Sequence, residues 1–432
     1  MTVLDTRAAH APGTILAALD VGFSKAACLM ARAGEDGRLE VLGVGVQRAQ
    51  TGADGAPLDF DACARAIRIA VDQAERMAGT TASAVIAGYG GGGLSSKRVI
   101  AQTPLPPGPI GPKAARAALA QALAEAPGPG RVVLHAAPLG YRVDDGPLIP
   151  DPRGMIGKRL GVEATVVTAP AAATAALCEC ITEAGVRVSR LVAAPYAAGL
   201  AVLSPQEMAM GGVVLDFGAG HVGIAAFAGG GLVLAESLPM GGARLTQALS
   251  ARLAASFAVA ERVKVLHGDL AASRLEEAVE APRLGDDGRL EPASIARGAI
   301  VEAIGPQLEA MMAGVRARLA AVKPWEGTQP WRAALCGGGA QLAGLRDLAG
   351  HVLHRPVRPG RPVGFGALDD GAAAASLAAA AGLLRYAAEP PAEAWSGLDG
   401  AAGAAQPRAA RAFARPIGGA MGKALSWLKE NF

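Results

Sequence analysis

Residues 213–223 read VVLDFGAGHVG. Apolar residues lead into Asp216, and glycines follow at 218, 220 and 223. This is the order of a strand running into a tight turn. Such a turn presents successive backbone N–H groups, which can cradle phosphate oxygens. His221 and Gly223 stand where a hydroxyl and a second carboxylate would be expected of a hydrolytic site.

The stretch has a twin. AALDVGFSKAA (17–27) carries the same Leu-Asp-x-Gly after small apolar residues. Both copies continue into a second apolar run, a turn and a third strand, and Asp36-Gly37 is the hairpin signal in the first. A helix is expected over 59–78, with Asp59 as N-cap and Phe60, Cys63, Ile67, Val71, Ala74 and Met77 on one face. Two such α/β halves facing each other make a cleft, where ligands bind. One turn carries Gly22, Phe23, Ser24 and Lys25, and the other Gly218, Ala219, Gly220 and His221. Together they can clamp a polyphosphate, with Asp20 and Asp216 converging on its Mg²⁺ through water. A single Leu-Asp-x-Gly is an ordinary hairpin turn; the matched pair carries the nucleotide reading.

Three more elements fit that cleft. LCGGGAQLAGLRDL (335–348) reads as a strand end, Gly337, Gly338 and Gly339, then a helix from near Gln341. PMGGARLTQAL (239–249) puts Gly241 and Gly242 at a helix start. In AVAERVKVLHG (258–268), Glu261 and Lys264 share a helical face. They can hold a ribose or adenine, or form a surface ion pair.

Composition sets the limits. At 432 residues the chain has room for two or more domains. A net charge of +3, with no basic stripe, argues against nucleic acid as a partner. Five scattered cysteines fit free thiols in a reducing compartment, and none pairs at zinc-like spacing. The opening MTVLDTRAAHAPG is not expected to be a signal peptide. No run reaches the ~18 apolar residues of a membrane span. The Ala/Leu runs near 191–203 and 372–384 read as buried helices or strands.

Residues 388–416 are rich in Pro, Gly and Ala and read as a flexible linker. IGGAMGKALSWLKENF (417–432) follows. On a helix, Ile417, Met421, Leu425, Leu428 and Phe432 share one face, Trp427 borders it, and Lys423 and Lys429 lie opposite. This is the pattern of an interfacial membrane helix.

With these motifs in hand, the chain resembles the actin-like ATPase superfamily, and within it the FtsA family of bacterial cell-division proteins. LDVGFSK (19–25), VDQAERMAG (71–79), VLHAAPLGYRVDD (133–145), DPRGMIGKRLGVEATVVTA (151–169), LCGGGAQLAGL (335–345) and AAAGLLRYA (379–387) carry the resemblance in order. It implies an α/β, actin-like fold: duplicated ribonuclease-H-like halves around a nucleotide cleft, an FtsA-type 1C subdomain, and a C-terminal amphipathic helix. The implied layout runs as follows: a disordered 1–13, domain I in 14–83 and 167–210, and the 1C insert in 84–166. Domain II takes 211–367, its small subdomain 245–329 binding the FtsZ C-terminal tail. A helix returns to domain I over 368–387, before the linker and the amphipathic helix. The resemblance also implies ATP with Mg, filaments of the chain itself, anionic inner-membrane lipid and downstream division proteins as partners. The implied place is the cytoplasmic face of the inner membrane at the division site.

The second loop departs from the superfamily's usual Asp-x-Gly-Gly-Gly-Thr-x-Asp. Ala219 replaces a Gly, at a cost of about 1–2 kcal/mol if its φ is positive. His221 replaces the Thr, though its ring can still donate. Gly223 replaces the last Asp, and Phe23 stands where a small hydroxyl residue is usual. A nucleotide binder with weak or absent hydrolysis is expected. The alternatives are an actin-like scaffold of a trans-envelope machine, like PilM, which binds a membrane protein's tail, and a superfamily kinase.

Overall fold

The computed structural model describes residues 13–35, 37–124, 128–270, 275–284, 290–322, 331–368 and 373–391. Asp36, almost all of the expected linker and the whole 417–432 segment lie outside them, as does the expected N-terminal tail except Gly13.

The first half is built on a five-stranded sheet. Strands β1 (Ile15–Val21), β2 (Lys25–Ala33) and β3 (Leu39–Arg48) form an antiparallel meander. β4 (Ala84–Tyr89) and β8 (Arg187–Ala193) continue it in parallel, giving the order β3-β2-β1-β4-β8. The helix α1 (Phe60–Ala78) covers one face. Asp59 caps it, its carboxylate accepting from Ala62 N–H at 2.8 Å. Its buried face is Cys63, Ala64, Ala66, Ile67, Ala70, Val71 and Ala74. Phe60, expected on that face, is 36% exposed, because it sits at the first position where the helix has not yet reached the sheet. The helix lies so close to β3 that a Cβ at Gly43 or Gly45 would collide with the Ala74 or Ala70 carbonyl. Small residues thus set the layer spacing in a chain with few aromatics.

The second half repeats the plan. β9 (Gly212–Phe217), β10 (Val222–Ala228) and β11 (Gly231–Leu238) form a meander, joined by β16 (Arg332–Cys336) and β17 (Val357–Pro359) in the order β11-β10-β9-β16-β17. On this sheet packs α8 (Arg297–Ala320), and α6 (Gly242–Leu253) and α7 (Phe257–His267) pack against α8 and each other, in one core with β9 and β10. Between α7 and α8 lie four short strands, β12 (Ala278–Glu280), β13 (Arg283–Leu284), β14 (Leu290–Glu291) and β15 (Ser294–Ala296). The helix expected from near Gln341 starts later. Gly338–Gln341 is a 3-10 turn, and α9 (Leu345–Leu353) begins after Gly344, whose φ of 79° redirects the chain.

A third unit is inserted between β4 and α3 (Ala171–Glu183). It is a sheet of β5 (Ser95–Pro104), β6 (Arg131–Val143) and β7 (Arg159–Pro170) in the order β5-β7-β6, covered by α2 (Pro112–Ala124). Alternate residues of β7, Leu160, Val162, Ala164 and Val166, meet Ala118, Leu119, Ala122 and Leu123 of α2 in its own core. This moves the expected boundaries of 84–166: β4 belongs to the first sheet, and β7 runs on to Pro170. The insert also touches the second half, where Ala235 N–H donates to Ser96 Oγ at 3.0 Å. The chain then returns through α4 (Ala194–Val202), α5 (Pro205–Met210) and finally α10 (Ala378–Ala388), which lies on β1, β2 and α4. The run 191–203 is thus a strand end plus α4, and 372–384 contains the start of α10.

Candidate nucleotide cleft

The two meanders match in register at their first turns. Asp20 pairs with Ala27 across β1 and β2, and Asp216 with Gly223 across β9 and β10. Four residues then form each turn. Gly22 N–H donates to the Lys25 carbonyl at 2.8 Å, and Gly218 N–H to the His221 carbonyl at 2.9 Å. Asp20 is opposite Gly88 on β4, and Asp216 opposite Cys336 on β16. The two aspartates therefore occupy the same place in each half, each at the end of the first strand of its own sheet's meander.

The turns face each other across one cleft. Every residue expected at the nucleotide site lines it except Gly241. Gly241 lies beneath the second turn, where a Cβ would stand 2.5 Å from the Ala219 carbonyl oxygen. The first N–H groups of α6, at Gly242 and Ala243, donate to Gly218 and Ala219 carbonyls at 3.0 and 2.8 Å. They brace the turn instead of facing a ligand. Ala219 is not among the described non-glycine residues with positive φ, so its replacement of a Gly carries no backbone strain.

Buried charge marks the centre. Lys25 is buried, and its Nζ donates to the Ser376 carbonyl at 2.7 Å. Burial lowers its pKa to about 8, while Asp20 and Asp216 oppose the fall. Burial pushes the Asp216 carboxyl up to about 7, with Asp20 adding and Lys25 opposing. Asp20 is raised as well, by burial, against the pull of Lys25. Gly337, at φ 84°, makes room, since a Cβ there would collide with Asp216 Oδ1.

The rest of the lining mixes polar groups with apolar ones such as Leu177, Pro195, Leu245 and Leu342. Lys264 Nζ donates to Glu261 at 2.7 Å, Thr246 Oγ1 at 2.8 Å and the Gly242 carbonyl at 3.1 Å. The pair is thus a half-buried network tying α7 to α6, and not a free surface ion pair. The ring of His221 points elsewhere than a lost threonine would: Nε2 lies 2.5 Å from the Ala53 carbonyl of the first half. Burial lowers its pKa, against the Ala53 bond and Asp54, so the neutral ring is favoured. Phe23 lies over Gly220, whose absent Cβ would sit 2.5 Å from the Phe23 ring. Residues not anticipated from sequence also line the cleft: Thr51, Tyr89, Gly90, Gly91, Gln341 and Ser376. The four-glycine run in GYGGGGL (88–94) was the available signal for two of them.

The chain is similar to known proteins. A model of the cell division protein FtsA matches residues 213–382, and one of the SHS2 domain inserted in FtsA matches 91–168. The cell division protein FtsA of Agrobacterium fabrum is 33% identical over 386 residues, covering 86% of each chain. The chain belongs to the FtsA family. Its relative in Escherichia coli K12 is 27% identical over 426 residues, 97% of this chain and 98% of that one. Among solved structures, the PilM–PilN type IV pilus biogenesis complex aligns with a TM-score of 0.62 at 20% identity, covering 88% of this chain and 100% of that one. MreB 5 of Spiroplasma citri bound to AMPPNP aligns at 0.50 and 12% identity, covering 86% and 95%. At those identities the two structures speak to the fold, which is actin-like. This FtsA-family chain is therefore an actin-like cell-division protein carrying the family's SHS2 insert between β4 and α3.

Proposed function

We propose that this FtsA-family chain binds ATP with Mg²⁺ between its two turns, polymerises, and ties the FtsZ ring to the inner membrane. The single observation that carries the nucleotide reading is the matched pair of turns, each closed by the same hydrogen bond, with a half-buried aspartate behind each. The donor set fits the ligand. Mg²⁺ takes one or two carboxylates, phosphates and water, and Asp20 and Asp216 are half-buried and both near enough to Lys25 to act on its charge. Glycines at 22, 218, 220, 337, 338 and 339 leave backbone open to phosphate and base. Bound Mg²⁺ would neutralise phosphate charge. Lys25 would hold a phosphate oxygen, and Glu261 with Lys264 would fix the nucleoside side of the cleft.

Hydrolysis is proposed to be weak or absent. At 223 a Cβ would stand 2.8 Å from Pro195 Cγ, which leaves no room for the carboxylate usual in the superfamily. Turnover at about 1–100 per second, as in kinases, would overturn this.

The membrane part rests on the sequence of 417–432. Each buried large apolar side chain contributes roughly 1.5–3 kcal/mol, and each nearby Lys or Arg about 1 kcal/mol on an anionic leaflet. One helix then binds reversibly, and a filament binds by avidity. The proposed place is the cytoplasmic face of the inner membrane at the division site, with FtsZ's C-terminal tail on the small subdomain and downstream division proteins as further partners. The PilM-like alternative rests on fold likeness alone, and family membership weighs against it.

The test measures ATP binding with and without Mg²⁺, FtsZ-tail peptide binding, and co-sedimentation with anionic liposomes, for the full chain and for a truncation at residue 416. Binding to all three, with liposome binding lost on truncation, is expected. Undiminished liposome binding by the truncated chain would sink the tether.

A further inference from the structure

β4 leaves the first sheet through four consecutive glycines, Gly90 to Gly93, before the insert begins at β5. The run is gripped from both halves. Tyr89 donates its hydroxyl to the Asp54 carbonyl at 2.6 Å, and Gly92 N–H donates to the Ala53 carbonyl at 2.9 Å. From the second half, Ser237 of β11 donates its hydroxyl to the Gly90 carbonyl at 2.8 Å and its N–H to the Leu94 carbonyl at 3.2 Å. The Ala53 carbonyl also receives His221 Nε2 at 2.5 Å. A carbonyl only accepts, so the imidazole hydrogen is on Nε2. One oxygen atom is thus shared by the second turn and the root of the insert.

We propose that His221 is a positioning residue that couples the state of the second turn to the pose of the inserted subdomain, through the Ala53 carbonyl. The proposal rests on the nucleotide reading above. A phosphate held between the two turns favours the closed cleft, in which His221 reaches Ala53. Opening the cleft separates His221 from Ala53 and frees the carbonyl on which Gly92 N–H rests. Glycines then absorb the change in φ and ψ, as hinge residues do. A ligand shifts such an equilibrium only by its differential affinity. The coupling is reciprocal, so the His221 contact also tightens nucleotide binding. This gives a role to a residue that is out of place as a phosphate ligand.

Amide hydrogen exchange of the full chain tests this, with and without ATP and Mg²⁺, in the wild type, H221A and H221Q. The Gln amide can replace the Nε2 donor; alanine cannot. Without ATP, H221A is expected to exchange at Gly90–Leu94 faster by roughly fivefold, the worth of one net hydrogen bond, while β7 amides are unchanged. ATP is expected to slow exchange at Gly92 in the wild type and H221Q, and not in H221A. Equal exchange at 90–94 in the wild type and H221A would overturn the proposal, as would ATP slowing that survives in H221A. If the wild type binds no ATP in a separate titration, the nucleotide reading fails. The ligand-free comparison of H221A with H221Q still decides the contact.

Discussion

Lys25 and His221 occupy the same position in two copies of one turn. Each carbonyl accepts from the glycine three residues before it, at 2.8 and 2.9 Å. Their side chains have diverged. Lys25 reaches the Ser376 carbonyl and lies near both aspartates, while His221 crosses to Ala53. The duplicated backbone is the cradle, and the side chain at its last position sets what each copy does.

Lys25→Met removes the positive charge set against two half-buried carboxylates. ATP affinity is expected to fall about tenfold or more, the scale of a hydrogen bond to a charged group. Titration with a fluorescent ATP analogue measures it, and an unchanged affinity would remove Lys25 from the phosphate site.

Asp216→Asn keeps the shape of the site and removes one metal-facing charge. The wild type is expected to bind ATP more tightly with Mg²⁺ than with EDTA, and the variant is expected to lose most of that difference. Calorimetry in both conditions reads it. A full Mg²⁺ response in the variant would argue that the cation is held elsewhere.

Gly382→Ala tests the packing of α10 on α4. A Cβ there would collide with the Ala197 carbonyl. Overpacking of this kind costs about 1–3 kcal/mol, and here it meets backbone, which yields less than a side chain. Thermal unfolding should show a clear drop in Tm. An unchanged Tm would mean that α10 can slide on α4.

Glu207 gives an acid-side dependence. Burial raises its pKa, but two bonds from Arg358 at 2.8 Å and its capping bonds with Ser204 outweigh that and leave it lowered. A lowered carboxylate pKa contributes stability above the unfolded value, which is lost as pH falls through the folded value. Glu207→Gln is expected to cost about 1 kcal/mol near neutral pH, discounted for partial exposure. The gap to wild type should narrow below about pH 4.5. Denaturant midpoints at pH 7 and pH 3.5 check this; an equal gap at both would show that the charge contributes nothing.

Local rules made much of the molecule legible. The two Leu-Asp-x-Gly stretches announced the duplication because a strand feeding a glycine turn is written in adjacent residues. Asp59 announced α1 for the same reason, since an N-cap bonds only three residues ahead. Phe60 misled because helical periodicity says which residues share a face, not where the sheet beneath begins. The helix expected near Gln341 started four residues late because three glycines allow a 3-10 turn that no side chain forbids.

By itself the sequence determined the fold class, the repeated turns and about half of the cleft lining, because each depends on short-range backbone preferences repeated in two places. Only the tertiary structure decided what Lys25, Phe23 and His221 touch. Their partners are Ser376, 351 residues away, Gly220 in the other half, and Ala53, 168 residues away. Such contacts are set by how segments far apart in the chain meet at the cleft. No local pattern encodes them, and so the histidine that looked like a damaged phosphate ligand is instead a bond between the halves.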